Sequence, residues 1–135
     1  MLISGLPDRV DDGEDLARFL TQSGQYNRIM VKPAAFMPSA TGRETSVSRH
    51  GAEPLESLRA IGLSAAGNRV LHGAAIVKAA AVRAAGLDAL SDEPPARHAA
   101  IRGWPWDERD LELQKARQKE MALQIASAAT LVILN

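Results

Sequence analysis

Apolar residues recur along this chain in short bursts, and their spacing sets the first picture of its elements. Leu16, Phe19 and Leu20 stand at i, i+3 and i+4 behind a cluster of acids. That spacing predicts a short helix over Glu14–Gly24, with acids on its positive end and Gly24 as its stop. Ile29, Val31 and Phe36 suit a strand, but Pro33 among them cannot donate to a ladder and points to an edge or a bulge. Glu44–Arg49 alternates polar and small β-favouring residues, so Ile29–Arg49 reads as a β-hairpin with a long loop. Leu55, Leu58 and Ile61 share a helical face behind Pro54, and Gly62 is placed to end that helix. Val70–Val77 predicts a strand, Lys78–Ala85 a helix closed by Gly86, and Leu87–Leu90 a further short strand.

The pattern is simplest near the C-terminus. Arg97–Trp104 predicts a strand with Ile101 inward, ended by Pro105. Asp107 is placed to cap a long last helix that runs to Ala129. Leu111, Leu113, Leu123 and Ile125 are its expected inward anchors, and the polar run Gln114–Glu120 its solvated face. Thr130–Leu134 predicts a final buried strand. Ile101, Leu123, Val132 and Leu134 are expected in the core. These elements imply a single α+β domain over residues 1–135. It should have a small mixed or antiparallel sheet, short helices and a longer C-terminal helix packed on one face.

Composition changes this picture in three ways. Aromatic residues are only 4% of the chain, so the core rests on few large side chains, among them Phe19, Phe36 and Trp104. There is no cysteine, which excludes disulfides, cysteine-held zinc and thiol catalysis. The acidic N-terminus does not read as a signal peptide and no run reaches a membrane span. A cytoplasmic protein without membrane contact is the expectation. Net charge is zero but unevenly spread. Asp8–Asp15 is acidic, whereas Arg28–Leu87 carries a local basic excess that could meet an anion. A neutral total argues against strong nonspecific binding to nucleic acid.

Candidate chemistry concentrates in Pro94–Asp110, which holds both tryptophans, His98 and three of the seven prolines. Trp and Arg dominate interface energies, so Arg97, Arg102 and Trp106 are candidate binding residues, with Arg49 beside them. Trp106, past Pro105 at the helix start, is expected to be the more exposed tryptophan. His50, His72 and His98 could hold zinc only if folding assembled them, since no short-range histidine pair exists. His50 and His98 could instead serve as base and acid on a phosphate held by Arg49, Arg97 or Arg102. Arg49–Leu63 also resembles the opening nicotinamide-binding segment of ADP-ribosyltransferases. The chain supplies no counterpart to the strand-borne hydroxyl or aromatic and the later glutamate that such enzymes add. Phosphate loops and nucleophile elbows are absent.

Two functions are therefore expected, in this order. The first is a small soluble binding or accessory module. It would recognise a protein partner or an anionic ligand, such as a nucleotide or RNA, through Arg49, Arg97, Arg102 and Trp106. The second is a metal-independent phosphoesterase or ribonuclease in which His50 and His98 are catalytic. Neither requires a cofactor or a metal, and neither sets an oligomeric state.

Overall fold

Six strands form one sheet, and every neighbouring pair in it is antiparallel. The computed structural model describes residues 4–135. The strands are β1 (Asp15–Leu20), β2 (Thr45–Ser48), β3 (Gly73–Lys78), β4 (Asp88–Ser91), β5 (His98–Arg102) and β6 (Thr130–Ile133). Their order across the sheet is β4-β5-β2-β1-β3-β6. The helices are α1 (Leu55–Ala66), α2 (Ala79–Ala84) and α3 (Leu111–Ala128). The α+β class, the antiparallel sheet and the longer C-terminal helix are as the pattern predicts.

The predicted first helix is instead the central strand β1, paired with β3 along its whole length. Both faces of the sheet are covered there. Leu16 and Leu20 enter one core, while Ala17 and Phe19 enter or pack against a second core on the opposite face. A strand apolar on both sides loses its alternation, and its spacing then mimics a helical stripe. The predicted hairpin over Ile29–Arg49 also fails. Residues 33–35 form a 3₁₀ turn, Val31 makes only an isolated bridge to Tyr26, and β2 pairs with β5 and β1.

One face of the sheet carries the main core. Leu16, Leu20, Val47, Val77 and Ile101 meet Phe36, Val82, Trp104 and Ile125 there. Here α3 packs through Gln114, Gln118, Ala122, Ile125 and Ala126. The expected anchors Leu111, Leu113 and Leu123 are exposed, and Leu123 is 52% accessible. The glutamines of the supposedly solvated run are buried because the Trp104–Asp107 loop offers them backbone partners. Gln118 Nε2 donates to the Pro105 carbonyl at 2.8 Å, and Gln114 Oε1 accepts from the Asp107 amide at 2.7 Å. The helix starts later than expected. Asp110 is its cap and accepts from the Leu113 amide at 3.0 Å, while Asp107 closes the preceding turn.

The opposite face is covered by α1 over β1 and β3. Leu58, Ala66, Leu71, Ala74 and Leu134 form its smaller core. Gly62 does not end α1, which continues to Ala66. It is buried where a methyl group would stand 2.9 Å from the Phe19 ring and 3.0 Å from Leu71, so glycine lets the helix sit close to the sheet. The final strand β6 lies at a sheet edge. Leu134 just beyond it is buried, Val132 is half-buried and Ile133 is exposed. Among the described residues no helix covers this face over β2 and β5, and a cleft opens beside α1.

Candidate functional site

The cleft has a volume of about 710 Å³. Its floor is β1, β2 and the start of β5. One wall is the second half of α1, and the other is the loop carrying Pro95 and Ala96. Strand alternation decides which side chains of β2 reach it. Ser46 and Ser48 point into the cleft, while Thr45 and Val47 point to the main core. Ser48 lies opposite His98 in the β2–β5 ladder, so His98 shares its face. His50 follows in the turn after β2. Thus His50 and His98, distant in sequence, line one cleft.

Both imidazoles have Nδ1 engaged. His98 Nδ1 lies 2.9 Å from the Asp92 carbonyl, which can only accept, so that nitrogen carries the hydrogen. Asp92 Oδ2 stands 3.4 Å from the same nitrogen. His50 Nδ1 shares a hydrogen bond with Ser48 Oγ. Burial pushes the His50 pKa below the ordinary imidazole value, the Arg97 charge lowers it further, and Glu53 opposes both. His50 is therefore neutral at neutral pH and can accept a proton. His72 is not part of this group: it hydrogen-bonds Tyr26 Oη at 3.1 Å. Among the described residues, no cluster of three or more His, Asp or Glu side chains is arranged to hold a metal ion.

Two arginines at the other end of the cleft complete it. β1 and β2 pair at one position only, Ala17 with Ser48, and part beyond it. The Arg18 side chain bridges that gap, donating to the Ala35 carbonyl at 2.8 Å and to the Ser46 carbonyl at 3.0 Å. Arg69, after α1, donates to the Ala66 and Ala65 carbonyls, both at 3.1 Å. Among the described residues, neither guanidinium has a carboxylate within ion-pair distance. Burial and the neighbouring Arg69 charge lower the Arg18 pKa from its ordinary value, and no acid lines the cleft to offset them.

The other predicted residues are dispersed. The Arg49 side chain is only 1% accessible. It grips Glu14 with two nitrogens, at 2.8 and 2.9 Å, and donates to the Pro7 carbonyl at 2.7 Å. Arg97 pairs with Glu53 at 3.0 Å. Arg102 pairs with Glu44 at 2.7 Å and approaches Asp92 at 3.5 Å. Trp104 is buried, and Trp106 is indeed the more exposed of the two. The Arg43 guanidinium lies 4.9 Å from the Trp106 ring centroid, beside a shallow groove that includes Met37 and Gln118. The whole of β5 separates Arg97 from Gly103, roughly 20 Å at strand spacing. The dense stretch Arg97–Trp106 thus contributes to two places, not to one patch.

The apolar pattern does not single out Arg18, Arg69 or the role of Ser48. A signal for Arg18 existed. Read with a strand period, it is a charged residue on the same side as Leu16 and Leu20, where an unneutralised arginine is unusual. The segment resembling ADP-ribosyltransferases begins just after β2 and forms a turn and most of α1, with no strand of its own. Tyr26 lies outside the cleft, however, and none of the lining residues is a glutamate. Comparison of the chain with protein-family models, with curated proteins and with solved structures returned no match.

Proposed function

We propose that this protein is a binding module that recognises a phosphate-bearing ligand in the cleft between α1 and the sheet. The charge of the cleft carries this reading. Arg18 and Arg69 line it without carboxylate partners, and no acid stands among its lining residues. Arg18 is desolvated without a counter-charge, which is costly, and an anion between it and the exposed Arg69 relieves that cost. Arg18 is held by two backbone carbonyls, so its position is prepared before a ligand arrives. The test is thermal unfolding in inorganic phosphate and in a mononucleotide, against chloride at equal ionic strength. The expected result is a saturable rise in midpoint that Arg69→Glu removes. A rise of equal size in Arg69→Glu and wild type would place the ligand elsewhere.

A second reading is favoured by a specific observation: His50 and His98 line the same cleft. We propose that they can act as base and acid in cleavage of a phosphate ester. His50 is suited to accept a proton because burial keeps it neutral, and His98 is oriented by Asp92. Assay of single-stranded RNA tests it. Cleavage should follow a bell-shaped pH profile within roughly pH 5–8, and His50→Ala and His98→Ala should each abolish it. Equal cleavage by both variants and wild type would exclude these histidines.

A further inference from the structure

We infer that Ser48 is the nucleophile of this cleft, with His50 as its base and His98 as the acid for the leaving group. The inference rests on the cleavage reading and names the attacking group which that reading leaves open. Three placements carry it. Ser48 Oγ shares a hydrogen bond with His50 Nδ1. Ser48 and His98 stand directly opposite each other in the β2–β5 ladder, which sets their Cβ atoms about 5 Å apart on one face. On its other flank Ser48 faces Ala17, whose methyl group leaves the hydroxyl open to the cleft. A hydroxyl between two imidazoles on an open sheet face has both proton-transfer partners that a displacement needs.

The surroundings fit the same role. His98 Nδ1 is occupied by Asp92, so Nε2 is the nitrogen left for a substrate. Arg18 reaches the same strand at Ser46, two residues and about 7 Å along β2 from Ser48. It can hold the charged oxygens of a phosphate ester lying along the floor. The step balances within these groups. Ser48 Oγ loses its proton to His50 Nδ1 and attacks phosphorus. The new Oγ–P bond forms as the ester P–O bond breaks, and protonated His98 gives the Nε2 proton to the departing oxygen. Water then attacks the phosphoserine and loses a proton to His98. The Oγ–P bond breaks, and Ser48 recovers its proton from His50. Enzyme and both histidines return to their starting states.

A fluorophosphonate probe, which phosphonylates an activated serine with loss of fluoride, tests the inference without knowledge of the substrate. The full chain is treated with the probe, and the label is located by peptide mass spectrometry. Thermal unfolding with and without inorganic phosphate is run in parallel. Wild type should be labelled on Ser48. Ser48→Ala should take no label there yet keep its phosphate-dependent stabilisation. His50→Ala should label at least about 100-fold more slowly. A wild-type protein that phosphate stabilises but the probe leaves unlabelled would overturn the inference and leave the binding reading standing. Equal labelling rates in His50→Ala and wild type would also overturn it. Loss of both labelling and phosphate stabilisation would remove the two readings together.

Discussion

Arg49 illustrates how a residue type can be read correctly and its use missed. Next to His50 in the sequence, it suggests an anion site. In the fold its side chain is turned inward, where Glu14 and the Pro7 carbonyl take its donors. Nothing in the local pattern announces this, because Glu14 is 35 residues away. The pair has a measurable consequence. Glu14 is held below the ordinary glutamate pKa chiefly by its hydrogen bond to Arg49, against the burial that would raise it. A folded-state pKa below the unfolded one contributes stability above the unfolded value, and that stability is lost as pH falls through the folded value. Glu14→Gln leaves the buried guanidinium without its charge partner and should cost about 3 kcal/mol at neutral pH. Urea unfolding of the two proteins checks this. The difference between them should shrink as pH falls below the ordinary glutamate pKa and on through the lowered value that Arg49 gives Glu14 in the fold. A gap that stays constant down to acid pH would show that geometry alone, not charge, is responsible.

At the level of elements, the short strands and the inward face of α3 are the least legible in the sequence. β3, β4 and β5 lie where their apolar runs and turn residues put them. β1 does not, since cover on both faces erased its alternation. Of the four apolar positions expected inward on α3, only Ile125 is buried, because hydrophobicity alone does not choose this face. The loop that α3 covers exposes backbone groups, and glutamines satisfy them better than leucines can. Two substitutions separate these views. Gln118→Ala leaves the Pro105 carbonyl without its partner and should destabilise the fold by about 1–3 kcal/mol. Leu123→Ala should stay within about 0.5 kcal/mol of wild type, because that leucine is 52% accessible. The tryptophans offer a parallel contrast. Trp104 is buried and donates its Nε1 hydrogen to the Ile101 carbonyl at 3.2 Å, so Trp104→Ala should cost about 3–5 kcal/mol. Trp106→Ala should cost less, because Trp106 is only half-buried where it packs against the main core and under Arg43. Chemical denaturation of the four variants measures both contrasts, and reversal of either order would show the α3 face to be misassigned.

On the scale of the whole molecule, the candidate site comes from topology. His50 and His98 are legible as chemistry but not as neighbours, because the β2–β5 pairing that unites them joins residues about two fifths of the chain apart. Arg18 and Arg69 join them only because β1 and β2 part and α1 leaves β2 and β5 uncovered. The main core lies on one side of the sheet and the cleft on the other, beside the smaller core, so ligand effects can be separated from substitutions in the main core. Binding to the native state alone stabilises a protein by about 2.7 kcal/mol at a ligand concentration 100 times the dissociation constant. For a domain of this size that raises the unfolding midpoint by on the order of 10 °C. A phosphate ligand at that excess should produce such a shift in wild type and in Trp106→Ala, whose substitution lies at the far end of β5. The double variant Arg18→Gln with Arg69→Glu should show almost none, after its own lower starting stability is taken into account. Calorimetry on the three proteins decides between the cleft and the Arg97–Trp106 segment as the place of binding. If Trp106→Ala alone abolishes the shift, the ligand sits over the tryptophan and the cleft has lost its claim.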